Sequence, residues 1–542
     1  MSDSPIYPGV YVAEVSKGMQ TISGVDTSIT AFIGRAVRGP EDEPTTLNSF
    51  ADFEHLFGGL QLEHPMSYAV RDFYLNGGSQ ALIIRLSVAP AANATIETGG
   101  LSLKAKSTGV WGNNLFIAID HEGISAGVLQ LHNLTDEEDL LNLTVVEIVD
   151  GVKVHTEHFG NVVWNRRINS SRRIDRVLAK ESSLVEIDES ALPASRPAES
   201  TVSTNPDDAT TTTTSGRKLK MSQATANSGR DSGPLNSSAY QGSASDKNGI
   251  YALEKADLFN LLCIPPDTLE GDIDSSVLQV AMNYCFKRRA LLIVDSPASW
   301  GANKETAASD ALDNFAGLGL NGVEARNAAL YFPRVVKADP LRENQLNTFV
   351  PCGIIAGLMA RTDGQRGVWK APAGIDSSLN GTQALQVNLT DDENGMLNPL
   401  GINCLRSFPA VGRVVWGSRT LRSADQFADE YKYIPVRRLA LFIEESVFRG
   451  TKWVVFEPND EHLWAQIRLN VGEFMHKLFL QSAFQGTTPD QAYFVICDEE
   501  TTSQSDINRG IVNIVIGFAP LKPAEFVIIK LRQIASEPEA QC

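Results

Sequence analysis

The sequence predicts a multidomain protein of α/β and α+β class, with a three-layer α/β middle domain, a mostly-β inserted domain and an α+β C-terminal domain. Three observations predict it. Strands and helices alternate from 258 to 360, and a shorter strand and helix unit precedes them between 49 and 86. Residues 91–190 instead carry short strand-like runs separated by turns. The 542 residues exceed what one core fills, so several domains are expected.

Taken in order, residues 10–15 are β-branched and aromatic, with Val10, Tyr11, Val12 and Val15 favouring an extended strand after Pro8-Gly9. A strand this short joins another sheet, and at a chain end it is available to a sheet of a different subunit. Ser49 caps a helix over 49–59, with Asp52 as its capping-box partner and Gly58-Gly59 as its stop. A second helix fits 65–75, and 81–86 follows as a buried strand. In the β-rich section, runs at 101–105, 115–120, 143–149 and 152–158 read as strands, with an Asp150-Gly151 hairpin turn. Residues 190–249, with five consecutive threonines from Thr210, have too little apolar surface to offset ordering and read as a mobile loop.

The α/β pattern returns at 258–264, 275–288, 290–295 and 328–332. Beyond 405, strands are expected at 413–417 and 453–457 and a helix at 436–448. Asp460 caps a long helix reaching about 484, and strands follow at 492–497 and 511–518. Pro520 and Pro523 then stiffen the approach to a last apolar run, in which Phe526, Val527, Ile528, Ile529 and Leu531 form a terminal strand. An unpaired strand edge is hazardous on a monomer, so both terminal strands read as links to neighbouring copies.

Composition narrows function. A net charge of −18 argues against gripping nucleic-acid phosphates. The six cysteines show no metal-ligand spacing and read as buried thiols of a reducing compartment. The first residues lack a secretion signal and no apolar run suits a membrane helix, so the chain is expected to be made in the cytoplasm. No cofactor, metal or catalytic residue is assigned. The eight histidines, at 55, 64, 121, 132, 155, 158, 462 and 476, all lie outside 250–405, which leaves that stretch without a general base for a serine triad. Gly301–Thr306 lacks phosphate-loop spacing, and 391–395 lacks calcium-loop spacing and reads as a solvated turn. His155 and His158, three apart in a strand, point to opposite faces. The alternatives to a structural subunit are a hydrolase using the middle domain, or a monomeric adhesin or binding module.

Several motifs resemble contractile tail sheath proteins of phages and related injection systems. They begin with the Tyr7–Val15, Ala31–Pro40 and Asp52–Gly59 stretches. They continue at Tyr74–Gly78, Gly109–Asn113, Asp295–Pro297 and Gly367–Gly374. Val414–Thr420, Tyr433–Arg438, Glu444–Ser446 and Phe456–Asn459 complete the set. The resemblance implies a subtilisin-like topology without a triad for the middle domain, and terminal strands exchanged between subunits. It implies stacked six-fold rings around an inner tube, with baseplate and terminator proteins at the ends. It implies contraction that drives the tube through a target envelope, with no direct nucleic-acid contact and no membrane insertion. The domains are then a linker arm 1–20, the N-terminal part of the sheath core 21–90, the inserted domain 91–249, the α/β sheath domain 250–404, the C-terminal sheath domain 405–520 and a second arm 521–542. By its residues alone the helix carrying Arg468, His476 and Lys477 reads first as a core helix with a solvated face, and the resemblance makes it a candidate inner-tube contact.

Overall fold

Apolar runs that are hydrophobic at every position make strands buried on both faces. Six largely buried runs of this kind build the centre of a large sheet in the computed structural model, which describes residues 21–526 apart from 125, 132, 133, 135, 192, 194 and 424–427. Its strands are β1 (Thr30–Gly34), β2 (Thr45–Leu47), β3 (Ala81–Arg85), β4 (Leu261–Cys263), β5 (Leu291–Asp295), β6 (Ala328–Phe332), β7 (Ile402–Phe408) and β8 (Gly412–Val415). Their spatial order is β2-β3-β1-β4-β5-β6-β7-β8. Pairing is parallel from β3 to β7, and antiparallel where β2 and β8 close the two edges. Numbered along the chain, the parallel strands run 2-1-3-4-5-6, a doubly wound order that reverses between β1 and β4. The resemblance implied a subtilisin-like topology; what the sheet itself shows is this doubly wound parallel order.

Side chains alternate between two cores. Ala31, Ile33, Leu262, Leu292, Val294 and Leu330 face one, and Phe32, Ile83, Leu291, Ile293 and Tyr331 face the other. Helices α1 (Phe50–Phe57), α2 (Pro65–Leu75) and α4 (Cys352–Arg366) cover the second face, and α3 (Ser275–Arg288) covers the first. The result is three layers. Ser49 caps α1 by accepting from Asp52 N–H at 3.1 Å, and the Asp52 carboxylate turns back to Asn48 N–H at 3.0 Å. Gly58 ends α1 at φ +90°, and a Cβ there would sit 2.7 Å from Val37.

The inserted domain packs a three-stranded sheet against a four-stranded one. Ile96, Leu103, Ile117, Leu143, Val145 and Val185 fill the space between. Asp150 and Gly151 turn its longest hairpin with φ of +51° and +78°, both positive as such a turn needs. The expected loop at 190–249 is instead built into the domain. Thr210–Thr212 pairs with Lys218–Lys220, Ser222–Gln223 adds to Leu115–Asp120, and Ser237–Gln241 is a short helix. Composition misleads here because small hydroxyls serve as acceptors for distant backbone. Ser200, Ser228 and Ser232 Oγ accept from Ile119, Thr95 and Val88 N–H. Leu219 and Met221 then pack on Ala118 and Val146.

The chain divides into two compact units. The sheet and inserted domain form Ser28–Gln365 with Pro372–Ile434; the other unit is Met1–Thr27, Arg366–Ala371 and Pro435–Cys542. The second unit holds most of α5 (Ile434–Gly450), all of α6 (Glu461–Leu480), and strands β9 (Tyr493–Ile496) and β10 (Val515–Phe518). Its core joins Ile22, Val368, Leu439, Ile467, Phe474 and Cys497. Two expectations fail there. Residues 453–457 are no strand, because Lys452–Val454 winds into a 3-10 turn and Pro458 follows. The long helix stops at Leu480, where Gln481 caps it and Ser482 takes a left-handed φ of +61°.

Candidate assembly site

Asp460 starts α6 by accepting from Leu463 N–H at 2.9 Å. From there Leu463, Ile467, Val471, Phe474 and Leu478 turn one face inward. The β9–β10 pair lies on that core. Tyr493, Val495, Ile516 and Phe518 face inward, and the Phe484 ring packs tilted against both Tyr493 (6.1 Å) and Phe518 (5.9 Å). Phe494, Ile496 and Val515 are exposed on the other face. Gly517 opposes Phe494, whose ring occupies the place of a side chain: a Cβ at Gly517 would meet it at 2.2 Å.

This sheet has two strands among the described residues; Gln485 N–H donates to Ala519 O at 2.8 Å and Phe484 bridges Pro520 just past β10, and along the strands themselves neither outer edge carries a third strand. Ala519 N–H donates to Ala492 O at 2.8 Å, which sets the alternation. Residues 494 and 496 bond to 517 and 515, and the backbone groups of Val495, Ile516 and Phe518 turn outward. Outward-turned, unpaired strand groups are a template for another strand.

The chain's first described residues are fastened in the same unit. Val25 N–H donates to Ser446 Oγ at 3.1 Å, and Arg438 donates to Thr27 O at 2.9 Å. Gly24 lies against Phe442, and Ile22 against Gly450. Of the expected arm residues, Val10, Tyr11, Val12, Val15, Val527, Ile528, Ile529 and Leu531 lie outside the described residues. Phe526 is the last described residue and is 76% exposed.

The three expected tube-contact residues do not share a face. Arg468 and Lys477 are nine positions apart, two and a half turns, and so lie on opposite sides of α6. Arg468 is engaged by Glu461 and Cys497 O, and Lys477 by Glu473 at 2.9 Å. His476 instead aligns with Leu469 and Leu480, both exposed. Sequence reading missed these two leucines because apolar residues surround α6 on every side.

The chain reversal between β1 and β4 is where ligands bind in doubly wound sheets. Here Arg35 and Asp267 pair across it at 2.5 Å. Residues 232–235 cross it, since Arg35 donates to Ser232 O (3.4 Å) and Leu235 N–H donates to Asp267 (3.0 Å). His64 stands beside this pair, so the sheet does have a neighbouring histidine, contrary to the reading of 250–405 alone. Its domain includes strands contributed by residues 30–85, which one-dimensional boundaries hide. Its ring is buried with Nδ1 unpartnered. Burial, then Arg35, pushes its pKa down to about 4.

Among the described residues no group of three or more His, Cys, Asp or Glu is arranged to hold a metal. His158 meets Thr144 Oγ1 at 3.0 Å and His155 meets Glu157 at 3.6 Å. The 391–395 stretch opens a helix, where Thr390 and Glu393 form a capping box, instead of a solvated turn. The five described cysteines are free and buried, and burial raises Cys404 to about 12 and Cys497 to about 11.

The family model of the phage tail sheath protein central domain matches residues 243–421, and that of the phage tail sheath C-terminal domain matches 428–534. Together they cover more than half of the chain, which belongs to the phage tail sheath family. A tail sheath protein of Vibrio phage KVP40 is 30% identical over 200 residues, 36% of this chain and 28% of the relative. That of Enterobacteria phage T4 is 27% identical over 168 residues, 31% of this chain and 24% of the relative. The matched part thus spans about a quarter of these relatives' length, 28% and 24%. The fold is similar to the helical sheath of the anti-feeding prophage in its contracted state. There the TM-score is 0.55 and identity 21%, covering 98% of this chain and 100% of that one. It is also similar to a sheath tail protein of Listeria innocua, with TM-score 0.57 and 13% identity over 92% and 96% of the two chains.

Proposed function

We propose that this chain is the repeating subunit of a contractile sheath, its copies stacked in six-fold rings around an inner tube and capped by baseplate and terminator proteins. The observation that carries the reading is the two-stranded sheet whose strands have no third strand along either outer edge among the described residues, in the unit that also anchors the N-terminal segment. Residues 1–20 and 527–542 supply the missing strands, each to a neighbouring copy. Each backbone bond of an added strand contributes on the order of 1 kcal/mol, and each buried large side chain roughly 1.5–3 kcal/mol more. Such links hold while the units move as rigid bodies, and contraction draws on better burial between copies in the short state. The His476, Leu469 and Leu480 stripe of α6 is the tube-facing side. The protein works mechanically: the crevice that would serve a hydrolase is crossed by its own chain. Assembly places it in a virion tail or injection particle, without membrane insertion or direct nucleic-acid contact.

Deleting residues 1–16 tests this. Monomers keep their circular dichroism and melting temperature, while rings and tubes disappear from negative-stain images; trimming 524–542 acts in the same way. Normal tubes after either deletion defeat the proposal.

A further inference from the structure

Phe456 stands fully in solvent, at 102% of its reference exposure. It occupies the corner between α5 and α6 with φ of +72°, a region that bulky side chains avoid. The corner is nonetheless stiff. Val454 N–H donates to Thr451 O (3.0 Å), Val455 N–H to Lys452 O (3.3 Å) and Glu457 N–H to Val454 O (3.1 Å). Thr451 Oγ1 donates to Val447 O at 2.8 Å, and Pro458 restricts the exit. Val455 is exposed beside the ring. A strained backbone and a wet aromatic ring therefore meet at one residue, and among the described residues the ring is left in solvent. Strain persists where surrounding structure holds it for a use. A rigidly presented aromatic side chain is what interface hot spots are made of, because little ordering remains to be lost on binding.

We infer that Phe456 is an anchor that seats in an apolar pocket on a second copy of this chain. Position decides the occupant. Asn459 Nδ2 donates to Ile511 O at 3.0 Å, which ties the corner to the stretch leading into β10, an open edge of the two-stranded sheet. A copy whose arm pairs with that edge passes the knob. The inference rests on the sheath reading, and gives its lattice a contact that is independent of the arms.

Phe456→Gly tests it, because glycine keeps the left-handed φ without strain and removes only the ring. The monomer is expected to melt at an equal or higher temperature, while the concentration needed for tubes rises at least about tenfold. Tubes at unchanged concentration overturn the inference, and so does a less stable monomer, which would mark an internal packing role. A photo-crosslinking phenylalanine analogue at 456 in assembled particles supplies the second readout. Adducts between two copies support the inference; adducts only within one copy, or only to a different protein, overturn it. Failure of the unmodified chain to form tubes would instead strike the sheath reading itself.

Discussion

Gly24 has no room for a side chain: a Cβ would meet Phe442 at 2.8 Å, and Phe442 is backed by Phe474 at 5.9 Å. Gly24→Val is expected to cost about 1–3 kcal/mol and to detach residues 21–27 from α5, read as a lower melting temperature with new proteolysis near residue 21. His64 is a second sensitive residue. Its folded pKa of about 4 lies below its ordinary 6.5, so the unfolded chain binds the proton more readily in that window. Stability therefore falls as pH drops from 6.5 to 4, by at most about 3 kcal/mol, and levels off below. Asp295 acts with the opposite sign. Burial lifts it from 3.8 to about 6 although it accepts from Cys352 N–H at 2.9 Å, so its contribution to folding weakens as pH rises through that window. Urea midpoints from pH 4 to 7 separate the two: His64→Asn removes the acid-side loss, and Asp295→Asn the opposing slope.

At the scale of elements, the informative one is the β9–β10 pair. Its inner groups make its own ladder and its outer groups face away, so the two sets occupy alternate residues. Val495→Pro removes an outward N–H and leaves the 494–517 and 496–515 bonds in place. The expected result is a folded monomer that no longer forms tubes, seen by circular dichroism and electron microscopy together. A variant that still polymerises normally would show that this edge receives no strand. Caps delimit helices in both units. Asp460 and Ser49 each satisfy a first-turn N–H, and such a cap is worth about 1 kcal/mol.

At the scale of the molecule, the C-terminal unit is assembled from three separate stretches. Ile22 and Val368 enter its core beside Leu439, Ile467 and Phe474. Burial of each is worth roughly 1.5–3 kcal/mol, a large part of the margin of a small domain. Residues 435–542 expressed alone are therefore expected to lack cooperative unfolding, judged by near-ultraviolet dichroism and thermal melting. A sharp two-state melt of that fragment would show the other two stretches to be dispensable.

Hydrophobic period and capping chemistry are local, and they were legible. The run 328–332 is strand β6, Pro65 opens α2, Asp150-Gly151 turns its hairpin, and Asp460 starts α6. Their physics lies within a few neighbouring residues. Partnership between distant segments was not legible. Serines at 200, 228 and 232 look like disorder until the backbone they accept from is in place. The 453–457 run looks like a strand until Pro458 and a left-handed Phe456 turn it into an exposed corner. His64 reaches the α/β crevice, and Ile22 and Val368 the C-terminal core, only because the chain returns to the same layer after long excursions. Composition and period thus determined class and elements, and short motifs carried the family resemblance. Tertiary structure alone decided which edges stay open, because an edge is defined by the strand that fails to arrive beside it.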